Sequence, residues 1–199
     1  TQLTFPRLNE PAPAFKAPTT HGPKSLSDYR GKWLVLFSHP ADFTPVCTTE
    51  FTAFARKAAD FAALGCELLG LSIDSHYAHI AWVRNIKEKF GVDITFPIIA
   101  DLSMQVAHAY GMVQPGASDT AAVRATFVID PSGIVRHMVV NDEPLGRNMD
   151  EVVRIVEGYQ FFKENGQVCP AGWDKSKAAF KPANPAELAA YLSAHAEAL

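Results

Sequence analysis

Trp33-Leu34-Val35-Leu36-Phe37-Ser38-His39-Pro40-Ala41-Asp42-Phe43-Thr44-Pro45-Val46-Cys47-Thr48-Thr49-Glu50 is an apolar run, then a proline-bounded loop, then a cysteine. The segment Trp33–Phe37 reads as an apolar strand. Phe51 through Leu64 reads as a helix, which places Cys47 in the first turn after the first core strand. Backbone N–H groups and the positive end of the helix dipole then face the sulfur and favour its ionised form. An ionised sulfur beside the Thr44 hydroxyl is equipped to attack an electrophile such as a peroxide oxygen. A lone cysteine is more often a buried structural residue; the motif around Cys47 outweighs that reading.

Outward from this stretch, strands and helices alternate. Glu67–Ile73 reads as a strand, and His76–Phe90 as a helix with Ile80, Val83 and Ile86 at helical spacing. Phe96–Ala100 reads as a strand and Met104–Tyr110 as a short helix. Ala125–Ile129 and Ile134–Val140 form an antiparallel hairpin across Asp130-Pro131-Ser132-Gly133. Ile134–Val140 alternates so poorly that burial on both faces is expected, and as an edge strand it invites pairing with a symmetry mate. Met149–Glu164 is an amphipathic helix stopped near Asn165-Gly166. Asn9–Pro23 holds four prolines and reads as extended segments and turns. The pattern predicts an α/β fold, a central mixed sheet flanked by helices. Residues 1–164 would form the main domain and 165–199 a tail, passing through Val168-Cys169-Pro170-Ala171-Gly172-Trp173 and ending in a helix over Pro185–Ala198.

Composition narrows the function. A chain of 199 residues with 48% hydrophobic content suits one domain with a sizeable core. The net charge of −3 and the absence of a basic run argue against nucleic acid as a partner. No segment has the apolar length of a membrane span, and Thr1–Arg7 lacks the apolar stretch of a signal peptide, so a cytoplasmic location is expected. Three cysteines make no disulfide framework and point to reactive or buried thiols. Neither a metal nor a bound cofactor is expected: His76 and His79 have helical spacing but lack a matching Cys/His pair.

Peroxide reduction needs a thiolate, donors that polarise the O–O bond, and a closed site. Cys47 is the candidate nucleophile and Thr44 its hydrogen-bonding neighbour, while Pro40 and Pro45 restrict the loop. Arg124, just before a strand, is the candidate cation; read from the residues alone it is equally an ordinary surface arginine. His39 could set the proton inventory of the pocket or be a satisfied hydrogen-bonding residue. Cys66, leading into a strand, reads as core.

Pro40-x-x-x-Thr44-x-x-Cys47 with Arg124 downstream resembles the active-site pattern of the peroxiredoxins, thiol peroxidases on a thioredoxin-like fold. Ser38–Glu50, His79-x-x-Trp82 and Phe96-Pro97-Ile98-Ile99-Ala100-Asp101 are most similar to the one-cysteine peroxiredoxin 6 branch. Val168–Trp173 is similar instead to the resolving-cysteine motif of the typical two-cysteine branch. The resemblance implies that Glu50 and Arg147 orient Arg124. It also implies that Cys169 of a partner subunit closes a disulfide with Cys47, reduced by thioredoxin or a flavoprotein disulfide reductase, in a homodimer that assembles into a ring of dimers. Two alternatives stay open: a one-cysteine peroxidase served by an external thiol, and a redox sensor or chaperone-like binding protein.

Overall fold

The run at Trp33 forms β3 (Trp33–Ser38), buried along its whole length because it lies between two strands in the middle of a sheet. It pairs in parallel with β4 (Cys66–Ser72) and antiparallel with β6 (Arg124–Ile129). β5 (Ile98–Ala100) extends the sheet in parallel beyond β4, and β7 (Val135–Asn141) extends it antiparallel beyond β6, giving the order β5-β4-β3-β6-β7. A separate ribbon joins β1 (Lys16–Ala17) to β2 (Lys24–Ser25), followed by a 3-10 turn over Leu26–Tyr29. The computed structural model describes residues 5–196.

Alternation along the strands sorts the core into two layers. Leu34 and Leu36 of β3, Leu69 and Leu71 of β4, and Phe127 and Ile129 of β6 share one cluster with Phe15, Tyr29 and Tyr110. On the other face Phe37 stacks on Phe54 of α1 (Pro45–Arg56) with ring centroids 3.9 Å apart, and Phe51 lies 5.3 Å away. Gly70 makes that packing possible. A Cβ there would stand 3.0 Å from Phe51 Cζ, so the strand opposite Phe37 gives up a side chain to admit the helix.

The helix carrying the cysteine starts at Pro45, six residues before the expected Phe51. Thr44 is its extended cap, and Pro45, at the first helical position, has a preset φ and no N–H to leave unpaired. The helix breaks at Lys57 and resumes as α2 (Ala58–Ala63). α3 (His76–Phe90) has the expected bounds: Ser75 Oγ accepts the Ala78 N–H and Gly91 closes the helix at φ 65°. β5 begins at Ile98 rather than Phe96, since Pro97 has no N–H to give a ladder. α4 (Gln105–Ala109), α5 (Met149–Asn165) and α6 (Pro185–His195) lie within a few residues of the expected spans; residues 197 and 198 of the expected last helix fall outside the described residues.

β7 corrects one expectation. It is an edge strand, but it is not buried on both faces: Val135 alone is fully covered, and Val139 and Val140 are more than a third exposed. Two compact units divide the chain, one through Met149 and one from Asp150 on. No helix among the described residues is long and apolar enough to cross a membrane.

Candidate active site

Cys47 is the third residue of α1, in the first turn of the helix, and is fully buried. β6 neighbours β3 in the sheet with Phe37 opposite Thr126, so Arg124 stands level with the loop that follows β3. The surface reading of Arg124 therefore fails: it is 2% exposed, and its Nη1 donates to Cys47 Sγ at 3.2 Å. The same nitrogen donates to Glu50 Oε2 at 2.9 Å, and Nε donates to the Glu143 carbonyl at 2.6 Å. Three acceptors, two on α1 and one on the segment after β7, fix the guanidinium plane against the sulfur.

Glu50 lies one turn beyond Cys47 and is itself held by Arg147. The Arg147 backbone N–H and Nε both donate to Oε1 at 2.8 Å, and Nη2 donates to Oε2 at 2.7 Å. Nη1 donates to the Ala125 carbonyl at 2.8 Å, and the guanidinium lies 5.5 Å from the centre of the Phe37 ring. Burial alone would raise the Glu50 carboxyl; the hydrogen bonds and charge of Arg147, with the charge of Arg124, carry it below its ordinary value. Desolvation works against the Arg124 cation, and its contacts with Cys47 and Glu50 overcome it, so its pKa is raised. Two buried guanidiniums face one carboxylate, and the Cys47 sulfur lies against one of them.

The Thr44 hydroxyl donates to the Ala41 carbonyl at 2.9 Å, and its own carbonyl accepts from the Thr48 N–H at 3.0 Å and the Thr48 hydroxyl at 2.8 Å. Its proton is thus committed within the loop, and its lone pairs remain to accept. Pro40 is buried at the start of the loop, and Phe43 adopts φ 61°, the left-handed region that a side chain of this size rarely enters.

A second buried polar group was not assembled by sequence reasoning. His39 Nε2 lies 2.7 Å from Asp42 Oδ1, His79 Nδ1 lies 2.6 Å from Asp42 Oδ2, and Asp74 Oδ2 accepts the Asp42 N–H at 3.1 Å. Burial holds His39 below the ordinary histidine value in spite of Asp42. For Asp42 burial works upward, but the bonds from His39 and His79 bring it down on balance. Ligand atoms of His39, Asp42 and Asp74 come within 4.8 Å of one another. Both Asp42 oxygens, His39 Nε2 and Asp74 Oδ2 are already engaged at hydrogen-bond distance, Asp74 Oδ2 also by the Ser72 hydroxyl at 2.5 Å, which argues against a cation there.

The other thiols differ from Cys47. Cys66 is buried at the start of β4 and burial pushes its thiol up to about 12. Cys169, in the second unit, is half-buried, and burial raises it against the opposing charge of Arg154.

A family model described as the AhpC/TSA family matches residues 8–138. The chain is 56% identical over 172 residues to a peroxiredoxin of Aquifex aeolicus, covering 86% of this chain and 78% of the relative. It is 53% identical over 166 residues to peroxiredoxin 2 of Thermoplasma acidophilum, covering 83% and 82%. Among solved structures, the reduced 2-Cys peroxiredoxin of Plasmodium vivax superposes with a TM-score of 0.86 at 34% identity, covering 94% of this chain and 98% of the other. Peroxiredoxin 6 of Arenicola marina gives 0.84 at 34% identity, covering 94% and 88%. The mixed sheet and its flanking helices are accordingly a thioredoxin-like fold. With the family match spanning the sheet as far as β7, the chain belongs to the peroxiredoxin (AhpC/TSA) family of thiol peroxidases.

Proposed function

We propose that Cys47 is the thiolate that this peroxidase spends on its peroxide, that Thr44 and Arg124 hold the peroxide oxygens, and that Cys169 of a partner subunit resolves the product. The observation that carries the reading is the 3.2 Å contact between Arg124 and the Cys47 sulfur, inside a cluster whose positive charge exceeds its negative charge by one without the thiolate. The sulfur lone pair attacks the terminal oxygen of hydrogen peroxide or an alkyl hydroperoxide. The S–O bond forms as the O–O bond breaks, leaving Cys47 sulfenic acid and an alkoxide or hydroxide that leaves as alcohol or water once protonated. Thr44 accepts from the peroxide O–H with the lone pairs its geometry leaves open. Arg124 follows the negative charge from sulfur to the departing oxygen, which is where a fixed cation lowers the barrier.

Resolution follows as Cys47 sulfenic acid and Cys169 thiol condense to a disulfide and water, later returned to two thiols by thioredoxin or a flavoprotein disulfide reductase. Cys169 begins parked. Its Sγ donates to the Gly158 carbonyl at 3.6 Å, and Arg154 Nη1 donates to the Trp173 carbonyl at 3.0 Å. The Trp173 ring packs on Phe161 at 4.8 Å. Arg154, Gly158 and Phe161 recur at spacings of four and three, one face of α5, so the turn rests in a cradle it must leave before its sulfur can attack. The exposed edge of β7 is the surface offered for a dimer, the building block of a ring.

Mild peroxide should convert the reduced protein to a covalent dimer joining Cys47 to Cys169, seen on non-reducing gels and by intact mass, and Cys169→Ser should abolish it. Turnover with an external thiol and no covalent dimer would instead select the one-cysteine reading. Failure of Cys47 to consume peroxide with any thiol would leave only a binding or sensing role.

A further inference from the structure

The His79 ring meets acceptors on both sides. Nδ1 lies 2.6 Å from Asp42 Oδ2 and Nε2 lies 3.1 Å from the Ile99 carbonyl oxygen. Neither an ionised carboxylate nor a carbonyl can donate. Turning the ring over would set carbon atoms against both acceptors, so the orientation follows from the same two contacts. A neutral imidazole has one N–H and would press a lone pair against an oxygen in a site with no solvent exposure. The competing arrangement moves the proton onto Asp42. His39 Nε2 lies 2.7 Å from the same carboxylate, and a neutral His39 that donates there weakens its hold on a proton.

We propose that His79 is a buried imidazolium that positions the active-site loop: it neutralises Asp42, and Asp42 in turn fixes His39 as the Nε2–H tautomer and anchors the residues leading to Thr44 and Cys47. The titratable groups facing His79 and Asp42 are His39 from the loop and Asp74 from the segment after β4. Asp42 immediately precedes Phe43, whose left-handed backbone at φ 61° persists only when its neighbours hold it. On one side Asp42 supplies both carboxylate oxygens and its N–H; on the other Thr44 caps α1. His39 Nδ1 is buried without a partner, which fits a neutral ring with its single N–H on Asp42. That ring packs on Phe51 at 4.6 Å and Trp82 at 5.0 Å, and Trp82 Nε1 donates to the Thr48 hydroxyl at 3.3 Å, so its placement is felt on both sides of Cys47. The inference rests on the peroxidase assignment to Cys47 and concerns positioning, since neither His79 nor Asp42 touches the sulfur.

Long-range proton–nitrogen NMR spectra of the reduced wild-type protein test the protonation state directly, without a variant. Across roughly pH 6 to 8.5, both His79 ring nitrogens should show imidazolium shifts and His39 the neutral Nε2–H pattern; a neutral His79 at pH 7 overturns the proposal. In stopped-flow peroxide assays His79→Gln should lower the rate constant of Cys47 by roughly tenfold or more. It should also introduce a pH dependence near neutrality as His39 takes up the proton that Asp42 has lost from its other side. His79→Gln combined with Asp42→Asn should remove that dependence. A uniform loss at every pH would indicate structure alone and refute the positioning role, as would rates within about twofold of wild type. The Cys47 assignment stands or falls separately, on whether Cys47→Ser retains turnover.

Discussion

Glu50→Gln removes one charge and almost no volume from the cluster that holds Arg124. In the wild type four N–H donors converge on two carboxylate oxygens: the Arg147 backbone and Nε on Oε1 at 2.8 Å, Arg147 Nη2 on Oε2 at 2.7 Å, and Arg124 Nη1 on Oε2 at 2.9 Å. A glutamine offers one oxygen, and its NH2 group faces two N–H donors whichever way the amide is turned. Two charge-assisted bonds are therefore lost and a donor opposes donors, beside two cations short of a counter-charge. Removing one partner of a buried ion pair costs about 3–5 kcal/mol, and the loss of two of four bonds places this case near ~4 kcal/mol. Against a typical total of about 5–15 kcal/mol that is a large share. The pH dependence gives the sign. Glu50 is held below its ordinary value of 4.5 in the folded protein, so its contribution is complete above that pH and is lost as the pH falls through the folded value. Urea unfolding of the reduced protein at fixed concentration should show the full difference at pH 7, and the two stability curves should converge on acidification. Peroxide reactivity in the variant should fall by about 10- to 100-fold, since Arg124 loses one of its three fixed acceptors. A stability loss under about 1 kcal/mol at pH 7, or a difference that persists unchanged at low pH, would refute the reasoning.

Arg124→Lys keeps the charge but cannot serve Cys47, Glu50 and the Glu143 carbonyl together, so stopped-flow peroxide rates should drop by at least roughly tenfold. Cys66→Ser should leave turnover near wild type because that thiol, pushed up to about 12, is not ionised, whereas Cys47→Ser should abolish it. Gly158→Ala should be accommodated, its Cβ meeting Trp173 at 3.7 Å and Cys169 Sγ at 3.8 Å, and should raise stability by about 0.5–1 kcal/mol through helix propensity. Gly158→Val should evict the Cys169 turn, read as faster alkylation of that thiol. Sedimentation of the reduced protein at micromolar concentration should show a dimer that charged substitutions at Val139 and Val140 dissociate, since β7 is an edge strand and both valines are more than a third exposed.

The legible features were those in which local pattern and environment agree. An apolar run ahead of a proline-bounded loop reads as a strand, and β3 is one; α3 is marked at its ends by Ser75 and Gly91 and takes its expected bounds. Cys47 was placed by a single junction of strand and helix. β7 misled because burial on both faces was inferred from weak alternation, a property shared by an edge strand whose outer residues await a partner. Arg124 was beyond the reach of spacing: 77 residues separate it from Cys47, and its burial depends on the adjacency of β3 and β6, which no short pattern states. The same holds for Glu50 and Arg147, 97 residues apart and linked in advance by family resemblance alone.

Phe43 shows why the remaining part of the site stayed hidden. Nothing in its side chain favours a positive φ, so local rules place it in an extended or helical backbone and leave Asp42 as an ordinary loop acid. The conformation is imposed from outside, by His79 from α3 and Asp74 from the segment after β4 on one side and by the helix cap on the other. His79 itself was judged by its spacing from His76, which tests for a metal, whereas its partner is a carboxylate 37 residues earlier. A residue that violates its own preference beside a nucleophile is thus evidence of tertiary contacts strong enough to overrule it, and those contacts lead from Phe43 through Asp42 to the His79 ring.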